Sequence, residues 1–178
     1  MIQVEKAIEI VLGEAAPLAT EQVDFSEALG RLLREDVDSD MDLPPFRRSA
    51  VDGFAVRASD TVDAPATLRV VGTVPAGSYP DFSVGRGEAA SIMTGAPVPE
   101  GADSVQMVEV SRESGAGAIS ILETVVAGQN VAPQGAEVRR GDVVLRAGTR
   151  VDSAAVAVAA TVGRTRLLVG RRPGVAVV

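Results

Sequence analysis

The chain has 178 residues and a net charge of −7, with no histidine and no cysteine. Those absences exclude a Ser-His-Asp triad, a thiolate nucleophile, a disulfide framework and any metal site built on imidazole or thiolate; a metal here must be held by oxygen, which points to Mg²⁺. The acidic residues are spread along the chain rather than blocked, which disfavours nucleic acid as a partner, because neutralising phosphates needs a basic surface.

The length suits one domain or two small ones with a real core. Hydrophobic residues make up 46% of the chain but aromatics only 3%, so the core must be built from Val, Ala, Leu and Ile. With one tyrosine and no tryptophan, the chain lacks the exposed aromatic platform that a carbohydrate-binding barrel needs. Lys6 is the only lysine; the other cationic side chains are arginines, which suit forked contacts to oxyanions. Glu5, Lys6 and Glu9 interrupt the N-terminal apolar residues. The longest apolar run, 154–162, is far short of the ~20 residues a membrane span requires. The expectation is a soluble, cytoplasmic protein.

Val4, Ala7, Ile8, Val11 and Leu12 fall at helical spacing, and Gly13 and Pro17 end that helix. Residues 21–24 read as a short strand. Ser26 is placed to cap a helix carrying Ala28, Leu29, Leu32 and Leu33. Residues 35–42 are acidic and irregular. Short β-type runs follow at 68–71, 89–93, 104–110 and 118–126, with turn residues between them. The runs 104–110 and 118–126 make the clearest hairpin, joined through Ser114-Gly115-Ala116-Gly117. Residues 143–145 resume a strand. Asp152 or Ser153 caps a helix over 154–162, which Gly163 ends in the left-handed region, and 166–169 is a further strand. Helical pieces at both ends with β structure between them predict a discontinuous α/β domain, residues 1–52 and 138–170, with a small β-barrel-like domain inserted at 53–137. The apolar run 175–178 reads as a parallel strand buried on both faces, and residues 171–178 as the truncated start of a third domain.

Three stretches stand out for chemistry. In Leu43-Pro44-Pro45-Phe46-Arg47-Arg48-Ser49-Ala50-Val51-Asp52-Gly53-Phe54-Ala55-Val56-Arg57 the two prolines exclude a helix. Asp52-Gly53 is a turn signal in which the glycine accepts a positive φ, and residues 54–57 enter a strand. The turn presents one fixed carboxylate. The second stretch, 92–103, runs a strand into Thr94-Gly95, where a hydroxyl and backbone amides can cradle an oxyanion. The third, 128–142, carries Glu137 close to the Gly141-Asp142 turn.

All three segments resemble signatures of the molybdopterin molybdenumtransferase family, to which the E domain of gephyrin also belongs. The first resembles Leu-Pro-Pro-Phe-Asp-Asn-Ser-Ala-Met-Asp-Gly-Tyr-Ala-Val-Arg and departs from it at Arg47 and Arg48, and more mildly at Val51 and Phe54. Nearly all of the second matches, and Glu109 stands where the family also has a glutamate. In the third, Ala132 replaces an arginine, Ala136 a glutamate and Glu137 an aspartate.

The resemblance implies the N-terminal part of an enzyme that inserts molybdate into adenylyl-molybdopterin with Mg²⁺ and releases AMP. It implies a homodimer whose site lies between subunits, a missing pterin-binding domain, a fragment inactive alone, and the molybdopterin-adenylylating enzyme of the same pathway as a partner. On that reading Asp52 is the metal ligand, and Asp52, Thr94 and Glu137 are the catalytic residues. Ser49, Gly95, Arg47 and Arg48 bind the cofactor substrate, with Arg47 or Arg48 doing the anion binding of the arginine that Ala132 replaces. The competing class is a non-catalytic dimerisation or partner-binding module of a divergent member, in which the turns are only structural.

Overall fold

A computed structural model describes residues 2–177. In chain order the elements are α1 (Val4–Glu14), β1 (Thr20–Asp24), β2 (Val37–Asp38), β3 (Arg48–Ser49), β4 (Gly53–Val56), β5 (Ala66–Val74), β6 (Glu88–Ile92), β7 (Ser104–Met107), β8 (Ser111–Glu113), β9 (Ala118–Ile121), β10 (Val131–Ala132), β11 (Val143–Leu145), α2 (Ser153–Thr161) and β12 (Arg166–Gly170). They divide into two compact units, residues 1–40 with 141–178, and residues 41–140. The expected architecture, a discontinuous α/β domain with an inserted β-barrel-like domain, is found, the inserted part being a curled, half-barrel-like β-sheet.

The first unit is tied together by pairings between its two sequence segments. β1 runs antiparallel to β12, from Thr20 opposite Gly170 to Asp24 opposite Arg166. β2 runs antiparallel to β11. Leu33, Val151, Leu167 and Val169 are fully buried, as is Ala159 of α2, and Ala155 is nearly so. Asp152 caps α2 by accepting a hydrogen bond from the Ala155 N–H, and Gly163 follows the helix at φ +74°. The anticipated helix from Ser26 to Leu33 does not form. Asp24, not Ser26, is the cap, and it starts only a single 3₁₀ turn, Phe25–Glu27. Gly30 then turns at φ +79° and gives its N–H to Val151 O, and Leu32 and Leu33 bridge to Arg150 and Val169. Tertiary pairing has overridden a helical spacing of leucines.

The second unit is a six-stranded sheet in the order β7-β4-β6-β5-β9-β8. Its neighbours are antiparallel except β5 and β6. Successive strand residues point to opposite faces, and here both faces are covered. Ala55 and Ala90 face one cluster with Val74, Val84, Ile92 and Val105. Val56 and Ala89 face the other with Leu68, Ile119, Ile121 and Val125. Alanines in the middle strands let both aliphatic layers close, with Phe82 packed against the first and Phe54 against the second. The 114–117 turn does join a hairpin, but between β8 and β9; β7 pairs with β4 instead.

The stretch 43–57 lies wholly within the second compact unit, residues 41–140. Leu43 N–H donates to Val138 O, Leu43 O accepts from Glu137 and Val138, and β3 pairs with β10. These bonds fasten the two ends of the insertion to each other. Residues 171–177 carry no helix or strand, and Val175 and Val177 are exposed. Val178, the last residue of the expected strand, lies outside the described residues.

Candidate functional site

The three signature-like stretches, far apart in sequence, meet in the second unit. Residues 47–50 run between the other two. On one side Ser49 N–H donates to Ala96 O at 2.9 Å, Gly95 N–H to Ser49 O at 2.8 Å and Val98 N–H to Arg47 O at 2.9 Å. On the other, β3 pairs antiparallel with β10, Ser49 opposite Val131 and Arg48 opposite Ala132, and Ala50 N–H donates to Asn130 O.

Asp52 stands at the end of this ribbon, exposed to solvent. Its Oδ1 accepts from the Thr94 backbone N–H at 2.7 Å and from the Thr94 hydroxyl at 2.9 Å. Its own carbonyl accepts from Val108 N–H. The carboxylate is therefore held from both ends. The Thr94 N–H, and secondarily the Thr94 hydroxyl, keep its pKa below the ordinary aspartate value, against a smaller opposing effect of partial desolvation. It is ionised at neutral pH. Among the described residues its Oδ2 accepts no hydrogen bond, which leaves one oxygen open to a ligand.

The glycine after it has a different role from the one expected. Gly53 is not among the positive-φ residues; it opens β4 between Ile92 and Met107. A Cβ there would lie 1.9 Å from Gln106 O. The position needs glycine because the neighbouring backbone passes so close, not because the chain turns left-handed.

The Thr94-Gly95 turn also works differently from an amide cradle. Gly95 does take φ +81°. But the Thr94 N–H goes to Asp52, the Gly95 N–H to Ser49 O and the Ala96 N–H to Met93 O. No amide of this turn is left to face an anion; its chemical contribution is to aim Asp52. Ser49 is buried, and its hydroxyl donates to Val51 O and accepts from Val51 N–H.

The cationic groups stand on the same ribbon. Arg48 Nη2 meets Glu137 Oε1 at 2.8 Å, with both side chains substantially exposed. Arg47 makes only a long contact, 3.4 Å, to Ala102 O. Glu109 is exposed on the 3₁₀ turn Val108–Val110. Sequence reasoning pairs neither Arg48 with Glu137 nor Asp52 with Thr94. The cross-strand placement of Arg48 against Ala132 has no signal either, because a two-residue strand carries no periodicity.

Among the described residues no group of three or more acidic side chains is arranged to hold a metal ion. A magnesium ion bound by an all-protein cage does not fit this donor set. One that keeps most of its own waters would need only a single protein carboxylate, and Asp52 is the residue that would hold it.

In an NMR titration the Asp52 carboxyl is expected to change state below the ordinary value of 3.8. Thr94→Val removes the hydroxyl and leaves the N–H, so it should raise the midpoint only part of the way back. The folded pKa is the lower one, so the interaction stabilises the fold above the unfolded value and is lost as pH falls through the folded value. A midpoint unmoved by Thr94→Val would mean that the hydroxyl bond is absent in solution.

Residues 2–163 match the family model for the MoeA N-terminal region, domains I and II. The chain is similar to molybdopterin molybdenumtransferases from Staphylococcus epidermidis, 36% identical over 99% of this chain and 43% of that protein, and from Synechococcus elongatus, 41% identical over 90% and 41%. The crystal structure of the molybdopterin biosynthesis moeA protein from Pyrococcus horikoshii superposes with a TM-score of 0.92 at 38% identity, covering 97% of this chain and 47% of that one. The chain thus spans less than half the length of these relatives. On these matches it belongs to the MoeA family of molybdopterin molybdenumtransferases and corresponds to its N-terminal domains I and II.

Proposed function

We propose that this chain supplies the metal-positioning half of a molybdopterin molybdenumtransferase, which places molybdenum from molybdate on the dithiolene of adenylyl-molybdopterin and releases AMP. The observation that carries this reading is the exposed Asp52 carboxylate, fixed by two bonds from Thr94 and left with one open oxygen. A carboxylate pinned so firmly, yet uncovered, does little for the core. It is well suited to a ligand that arrives from outside.

The physical task is to bring a dianionic oxyanion to an anionic pterin phosphate. Asp52 would hold a divalent cation, which when bound would supply positive charge against that repulsion. Asp52 contributes one ligand through Oδ2. Thr94 keeps Oδ1 engaged, so Asp52 cannot swing away. Arg48 presents a guanidinium with one of its five donors committed to Glu137, leaving others for an anionic oxygen. Glu137 orients Arg48. The remaining ligands, the pterin pocket and the second subunit of a homodimer belong, on this reading, to parts of the enzyme beyond these two domains.

The test is complementation. The full-length protein should restore molybdenum-cofactor synthesis in a strain lacking the transferase, and the 178-residue chain alone should not. A folded full-length protein that fails to restore synthesis would overturn the enzymatic reading and leave the partner-binding module.

A further inference from the structure

The chain has four phenylalanines and one tyrosine. Three of these five rings, Phe46, Tyr79 and Phe82, line a single open groove of about 760 Å³ in the second unit. Tyr79 is 72% exposed, and its ring meets Phe46 edge to face with centroids 5.2 Å apart. Phe82 is rooted in the core: it packs on the Val74 and Val84 cluster, close enough to Gly72 that a Cβ there would lie 2.6 Å from its ring. The floor continues through Pro97 and Pro99, both buried. In a chain so poor in aromatics, an exposed ring stacked beside proline walls is not needed for packing. Rings too few for a platform when counted along the sequence become one when the fold gathers them.

The charge around the groove selects among occupants. Asp81 and Glu100 lie on its rim, and neither has an ion-pair partner among the described residues. The one cation of the lining, Arg47, makes a 3.4 Å contact to Ala102 O and offsets one of the two carboxylates, so the lining keeps a net negative charge. A phosphate-bearing ligand would meet that net negative charge. A cationic one would meet complementary charge.

We infer that this groove docks an extended, proline-containing segment of a protein partner that carries a basic residue. The polyproline conformation leaves its carbonyls unpaired and presents its rings on a three-residue repeat, and grooves lined by aromatic rings receive those rings. The hydroxyls of Tyr79 and Ser83, which make no hydrogen bond among the described residues, are available to donate to the carbonyls. The basic side chain reaches Asp81 and Glu100. This goes beyond the transferase reading: Asp52 and Thr94 do not line the groove, so it can fail while that reading stands.

The chain carries its own probe. Tyr79 is the single tyrosine and there is no tryptophan, so intrinsic fluorescence reports on this groove alone. The 178-residue chain is titrated with the peptide acetyl-Arg-Ala-Leu-Pro-Pro-Leu-Pro-amide, with the same peptide bearing Glu in place of Arg, and with AMP. The Arg peptide should give a saturable change and bind about fivefold more tightly than the Glu peptide, a preference that fades with added salt. Asp81→Asn combined with Glu100→Gln should abolish that preference, and Tyr79→Ala, followed by calorimetry, should abolish binding. Absence of a saturable change, equal binding of both peptides, or binding of AMP in place of the peptide would each overturn the proposal.

Discussion

Asp52→Asn in the full-length protein is expected to lower molybdenum insertion by about 10²–10³-fold while leaving the melting temperature within a few degrees of the parent. The size follows from the several kcal/mol that a bound divalent ion supplies to a charged transition state, at 1.36 kcal/mol for each tenfold change in rate. The selectivity follows from the geometry. An asparagine carbonyl in place of Oδ1 still accepts from the Thr94 N–H and hydroxyl, so the turn keeps both bonds that hold it. Only the open oxygen changes, from an anionic ligand to an amide that cannot bind a cation. Asp52→Ala is the control: it loses activity too, but also releases Thr94 and should lower the melting temperature further. Normal insertion by Asp52→Asn would remove this carboxylate from the mechanism.

What can be read from the sequence, and what cannot, divides along physical lines. Some caps and punctuation are visible: Asp152 before α2, Gly163 after it, and Pro17 beyond α1, because each acts on its own neighbours in the chain; Gly13, expected to end α1, lies inside it. The Ser26 helix is misleading, since leucines spaced for a helix are claimed by strands from the other end of the chain. β7 pairs across the sheet rather than with the next hairpin strand, and no local pattern distinguishes those outcomes. The site shows the same division. Asp52 stands out because an Asp-Gly pair signals a turn, yet the reason for its glycine lies in a carbonyl 53 residues away, Gln106 O. Thr94 reads as part of an anion cradle, whereas its donors are turned onto Asp52. The residue types are legible; which donor meets which acceptor is decided by pairings between segments distant in the chain.

Arg48→Asn is expected to reduce insertion by about 10–100-fold, the cost of losing one hydrogen bond to a charged group. Adding Ala132→Arg should recover most of that loss. The resemblance places an arginine at 132 and none at 48, and this chain has the reverse. The two positions are directly opposed in the β3–β10 pair. Residues directly opposite in an antiparallel ladder project to the same side of the sheet, with Cβ atoms about 4.5–5.5 Å apart. A guanidinium is long enough to reach the same oxyanion from either base, and the rescue by Ala132→Arg is the measurement that checks whether the two positions serve one site. Glu137 bears on the same point, because its carboxylate meets Arg48 at 2.8 Å and fixes where the guanidinium lies. Glu137→Gln should therefore raise KM for the anionic substrate more than it lowers kcat, the behaviour of a positioning residue. If Ala132→Arg fails to rescue Arg48→Asn while the double variant remains folded, the two positions do not share an anion. Arg48 would then act only through its pair with Glu137.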